Sequence, residues 1–139
     1  IWRLKNTPQL AAIGIFIFED KKLLLVHNTK NGLRIEPPGG KKENNETLEE
    51  CVVRESEEEL GIKIELIKKI GDYITKSPEG EFTVAMYEAQ IVSSEIQLKE
   101  PNKISDYGWY TIEEITNFKE QEVLVPNLAS ALDDIRHYF

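Results

Sequence analysis

Glu55, Glu58 and Glu59 stand at i, i+3 and i+4 in the stretch Arg54-Glu55-Ser56-Glu57-Glu58-Glu59-Leu60-Gly61. On a helix, carboxylates so spaced lie within one turn of each other, where their repulsion costs stability unless something positive compensates. Hard divalent cations take oxygen ligands, and Mg²⁺ in particular binds through a few carboxylates, waters and the phosphates of a substrate. Taken alone, the trio fits either a solvated acidic cluster or metal-assisted chemistry on a phosphorylated compound. Arg54, four residues before Glu58, can pair with it on the helix surface and orient its carboxylate.

The segment has the marks of a helix. Thr47-Leu48-Glu49-Glu50 has the capping-box form, and Gly61 supplies a left-handed stop, so the helix is expected over about Leu48 to Leu60. At 100° per residue, Leu48, Cys51, Val52, Glu55, Glu58, Glu59 and Ile62 fall in one sector of roughly 120°. The stripe begins apolar and turns acidic, so three carboxylates continue the line of inward-pointing residues. Glu49, Glu50 and Glu57 lie outside it and read as solubilising surface charge.

The surrounding spacing makes the cluster specific. Gly40, Glu46, Arg54, Glu55, Glu58, Glu59, Gly61 and Ile62 fit G-x5-E-x7-R-E-U-x-E-E-x-G-U, where U is bulky and apolar; Ser56, standing where an apolar residue is expected, is the one departure. This pattern, spanning 23 of the 139 residues, resembles the box of the Nudix (MutT-like) hydrolases. The resemblance implies an α/β fold, an α/β/α sandwich with a mixed central sheet in which the box forms a loop, helix and loop. It implies Mg²⁺ or Mn²⁺ held by Glu55, Glu58, Glu59 and the carbonyl of Gly39, with Gly40 and Glu46 keeping the loop in shape. It also implies hydrolysis of a pyrophosphate linkage, with Glu58 or Glu59 as general base and Arg54 completing the catalytic set. Glu100, in Glu100-Pro101-Asn102-Lys103, is the candidate for a distal metal ligand or base.

The elements that would position these groups are legible in outline. Leu10 to Phe18 and Leu23 to His27 are expected strands around Glu19-Asp20-Lys21-Lys22, and Pro37-Pro38-Gly39-Gly40 reads as a loop that continues neither strand nor helix. Ile62 to Ile74 and Phe82 to Val92 read as long strands around Ser77-Pro78-Glu79-Gly80, and Ile104 to Tyr110 as a shorter one. Thr111 opens a second capping box, and Val123 to Tyr138 reads as a terminal helix. Arg34 and Lys41 with Lys42 flank the glycines and could meet phosphates, while Phe82 and Tyr87 could stack on a base or pack the core. Trp109 fits core or sheet rim, His27 a structural role, and Cys51 core packing.

Length and composition fit one domain over residues 1–139. The balance of 17 basic and 25 acidic residues, net −8, argues against binding DNA or RNA duplexes or anionic membranes, which reward clustered Lys and Arg. The apolar run Leu10 to Phe18 is nine residues, against roughly 20 for a membrane span. The single cysteine, Cys51, allows no intramolecular disulfide, which fits a cytoplasmic setting. A small-molecule nucleotide is the expected partner, nucleoside triphosphates first among substrates and ADP-ribose or dinucleoside polyphosphates next. An exposed sheet edge could support a homodimer. A nucleotide-sensing module without catalysis would be marked by loss of a box glutamate, and all are present.

Overall fold

In the computed structural model, described over residues 9–77, 80–93 and 95–139, two four-stranded sheets lie between helices on either side. Strand β1 (Gln9–Phe16) is central to the first sheet. It pairs in parallel with β7 (Gly80–Ile91) and antiparallel with β5 (Gly39–Lys41), and β7 pairs antiparallel with β6 (Ile64–Ser77), giving the mixed order β5-β1-β7-β6. In the second sheet, β3 (Lys22–Asn28) pairs antiparallel with β2 (Phe18–Glu19), β4 (Arg34–Glu36) and β8 (Ile104–Tyr110). β6 and β7 pair up to Ser77 opposite Gly80, and the central residues of the expected turn, Pro78 and Glu79, lie outside the described residues.

Strand alternation makes the three layers. Ile13, Ile15, Leu24, Val26, Ala85 and Tyr87 point to one face and bury Cys51, Val52 and Leu60 of helix α1 (Leu48–Leu60). Ala12, Phe16, Leu23, Leu25, Val84 and Met86 point to the other, where they pack against α2 (Ile112–Glu120) and α3 (Pro126–Ile135). The run from Leu10 that superficially suggests a membrane segment is thus a strand buried on both faces, and no helix among the described residues is long and apolar enough to cross a membrane.

Helix α1 begins and ends where its caps dictate. Thr47 accepts from the Glu50 amide, the Glu50 carboxylate accepts from the Thr47 amide, and Gly61 closes the helix at φ +62°. Ser56, the departure from the box, is fully buried and donates its hydroxyl to the Val52 carbonyl at 2.8 Å, so it packs without an orphaned polar atom.

Two expectations are corrected. Gly39-Gly40-Lys41 is not only loop but strand β5, registered on β1 with Gly39 opposite Gly14 and Gly40 opposite Ile13. The glycine makes this pairing feasible, because a Cβ on Gly39 would lie 2.1 Å from the Ile13 carbonyl oxygen. The terminal helix starts at Pro126 rather than Val123, because Val123 and Val125 exchange backbone hydrogen bonds with Ile35 (2.7 and 3.0 Å) and stay extended. Proline at the first helical position suits that start. After Ile135 the chain tightens into a 3-10 turn over Arg136–Tyr138.

Because the Thr47 cap sets the start of the box helix, Thr47→Ala should lower the unfolding free energy by about 1 kcal/mol, read by urea denaturation with an unchanged m-value.

Candidate active site

The box folds back on itself so that β5 faces the inner side of α1. The Gly39 amide donates to Glu59 Oε1 at 2.9 Å. A Cβ on Gly40 would sit 2.6 Å from the Glu55 carboxylate oxygens, so the missing side chain is the space that the carboxylate occupies. Glu55 is 7% exposed and Glu59 2%. Glu58 differs from the expected inward stripe: the buried face centres on Val52, Glu55, Ser56 and Glu59, leaving Glu58 at the rim with its side chain 48% exposed.

Arg54 is the clamp of this assembly. Its guanidinium donates to Glu46 through Nε (3.0 Å) and Nη2 (2.8 Å), to Glu55 (2.8 Å) and Glu58 (3.0 Å) through Nη1, and to the Lys41 carbonyl (3.0 Å). One side chain therefore ties the loop before α1, the start of β5's exit and two box carboxylates together. Glu46 also accepts from the Glu43 amide at 2.8 Å. The Arg54 hydrogen bonds, and then the Glu43 amide, hold the Glu46 carboxyl down at about 2.

On the other flank stands Lys103, which sequence reading missed. Its ammonium donates to Glu59 Oε2 at 3.0 Å across 44 residues of chain. Burial pushes Glu59 up to about 7 although Lys103 and the Gly39 amide pull the other way, and burial likewise raises Glu55 against Arg54. Burial alone would depress Lys103, but the charges of Glu59, Glu55 and Glu100 outweigh it and raise it. Each box carboxylate is thus already engaged by a cation, and with the side chains so placed no group of three or more acidic, histidine or cysteine residues among the described ones is gathered to hold a metal ion. The donor set still fits a hard divalent ion: two buried carboxylates, a third at the rim, and a glycine strand with no side chain in the way.

Glu100 is brought to the same end of the molecule. Its carbonyl accepts from the Lys103 and Ile104 amides (2.9 and 2.8 Å), while the Gln97 and Lys99 amides donate to the Leu60 and Glu59 carbonyls, anchoring this segment on the end of α1.

The four expected substrate contacts are not gathered in one place. Arg34 lies exposed on β4, paired with Glu36 at 3.2 Å. Lys41 places its ammonium 5.6 Å from the centre of the Phe82 ring, on the α2–α3 face of the sheet. Tyr87 points to the α1 face, 5% exposed, and donates to Glu49 at 3.2 Å. Phe82 and Tyr87 sit five apart on one strand, so alternation puts them on opposite faces and they cannot line one pocket. Trp109, half-buried, lines a cleft of about 660 Å³ with Tyr107, Ile91 and Ile96 on the α1 side. His27 hydrogen-bonds the Tyr110 hydroxyl, and burial pushes the Cys51 thiol up to about 12, which removes it as a nucleophile.

Residues 8–130 match the NUDIX domain family, and the chain belongs to it. An ADP-ribose pyrophosphatase of Methanocaldococcus jannaschii is 30% identical over 110 residues, 76% of this chain; the chain spans 64% of that relative's length. A MutT NUDIX hydrolase of Burkholderia pseudomallei is 28% identical with a TM-score of 0.69, covering 76% of this chain and 85% of that one. A NUDIX hydrolase of Nitrosomonas europaea shares the fold, at a TM-score of 0.82 over 94% and 90% of the two chains with 22% identity.

Glu46 contributes stability only while ionised. Held below its unfolded value, it stabilises fully above about 4.5, and the contribution fades as pH falls from there toward 2. Thermal melts should therefore show Glu46→Gln less stable than wild type at pH 7, with the gap closing below pH 4.

Proposed function

We propose that this chain is a divalent-metal-dependent pyrophosphohydrolase acting on a nucleoside diphosphate derivative. The observation that carries this reading is the pair of buried carboxylates, Glu55 and Glu59, aimed at the side-chain-free strand Gly39-Gly40. Burying two like charges side by side is costly, and a hard cation with a phosphate on its far side is the partner that such a donor set suits. When bound, Mg²⁺ or Mn²⁺ would neutralise the pyrophosphate and lower the pKa of a water.

The chain's own residues divide the remaining work. Glu55, Glu59 and the Gly39 carbonyl would hold the cation, and Glu100 would approach it from the segment beside Lys103. Glu58, at the rim, is the carboxylate best placed to meet water from solvent and take its proton. Arg54 acts as a positioning residue, because its contacts go to Glu46, Glu55 and Glu58.

ADP-ribose leads the substrates, because the similar archaeal protein is an ADP-ribose pyrophosphatase. Nucleoside triphosphates follow, on the sequence reading alone. Release of nucleoside monophosphate together with its partner product (ribose 5-phosphate from ADP-ribose, pyrophosphate from nucleoside triphosphates, a sugar phosphate from nucleotide sugars), and cleavage of dinucleoside polyphosphates into two nucleotides, with Mg²⁺, Mn²⁺ or chelator, tests this. Metal-dependent turnover of one class is expected, and nucleotide binding without turnover of any class would move the reading to a sensing module.

Glu58→Gln and Glu59→Gln should each lower kcat by several powers of ten with the circular dichroism spectrum retained. Full activity in both variants would remove the box from the chemistry.

A further inference from the structure

The two cations that neutralise the carboxylates are held very differently. Arg54 is locked by Glu46, Glu55, Glu58 and the Lys41 carbonyl, all from its own box. Lys103 comes from the turn before β8, and among the described residues its ammonium makes one ion pair, to Glu59, with the side chain 34% exposed. Only its backbone is pinned: the amide donates to the Glu100 carbonyl at 2.9 Å and the carbonyl accepts from the Thr29 amide at 3.0 Å. A long flexible stem on a fixed base can swing its charged head without disturbing the sheet.

Glu59 Oε2 is also where a cation is needed. The opposite oxygen, Oε1, accepts from the Gly39 amide, so Oε2 is the face of this 2%-exposed carboxylate left for a charged partner. Lys103 occupies it, and Glu55 and Glu100 act on the same ammonium.

Resting on the metal-dependent reading above, we propose that Lys103 is an exchangeable internal counter-ion that occupies the cation position at Glu59 Oε2 and must leave it before a divalent ion can bind. Lys103 thereby sets the metal affinity of the site.

Mn²⁺ binding to wild type, Lys103→Met and Lys103→Arg, followed by electron paramagnetic resonance without nucleotide, tests this independently of turnover. Lys103→Met should bind Mn²⁺ up to about fivefold more tightly than wild type, as expected for removing one competing charge from a partly exposed pair, and Lys103→Arg should not bind more tightly. The metal-free melting temperature of Lys103→Met should fall, because Glu59 is left buried without its counter-ion, and Mn²⁺ should raise it by more than in wild type. If Lys103→Met does not fold, Lys103→Gln serves in its place. Unchanged or weaker Mn²⁺ binding in the folded neutral variant would overturn the proposal and make Lys103 a support for Glu59. Absence of Mn²⁺ binding in wild type and in every folded neutral variant would instead overturn the metal-dependent reading itself, and the Lys103 proposal with it.

Discussion

Glu55 and Glu59 are one helical turn apart on the buried side of α1, and the rest of the structure is arranged around the charge this places inside the protein. Ionised carboxylates out of water need compensation by opposite charge and hydrogen bonds. The chain supplies three forms of it: the guanidinium of Arg54, the ammonium of Lys103, and the amide of Gly39. Burial still wins at both glutamates, which remain shifted upward. Carboxylates shifted upward by burial beside specific charge partners mark a candidate functional site, and this is the physical basis of the proposed cation site.

The fold serves this arrangement by bringing three distant segments to one place. β1 carries β5 on its edge, so Gly39 and Gly40 face α1 rather than solvent. α1 is fixed by Cys51, Val52 and Leu60 packing on the sheets, which sets the rotation that turns Glu55 and Glu59 inward and Glu58 outward. The segment before β8 docks on the last turn of α1 through the Gln97 and Lys99 amides, and this places Lys103 and Glu100 beside Glu59. Burial of apolar surface thus does the positioning, and the polar contacts act on a frame already set.

How much of this could be read from the sequence follows the range of each interaction. Helix α1, both its caps and the identity of its carboxylates were legible, because Thr47, Glu50, Gly61 and the glutamates act within a few residues of one another. β8 and the second capping box at Thr111 were legible for the same reason. β5 was not, because Pro-Pro-Gly-Gly reads as a breaker and its strand character comes from a backbone partner, Ile13, whose approach no local pattern encodes. Lys103 was invisible, since its partner lies 44 residues away and nothing near it in sequence marks it as an inward cation. Simple alternation puts Phe82 and Tyr87 on opposite faces of β7, each against a core cluster, and Arg34, paired with Glu36, shows that a basic residue near a glycine turn need not face the site.

Anomalous diffraction from crystals soaked in Mn²⁺ bears most directly on the central claim, that the box carboxylates form a cation site whose place is kept by Lys103. A Mn²⁺ peak coordinated by Glu59 Oε2 with Glu55 or Glu58, and the Lys103 ammonium moved away, is the result the account predicts. A peak elsewhere, or a Lys103–Glu59 pair still intact beside a saturated metal, would contradict it.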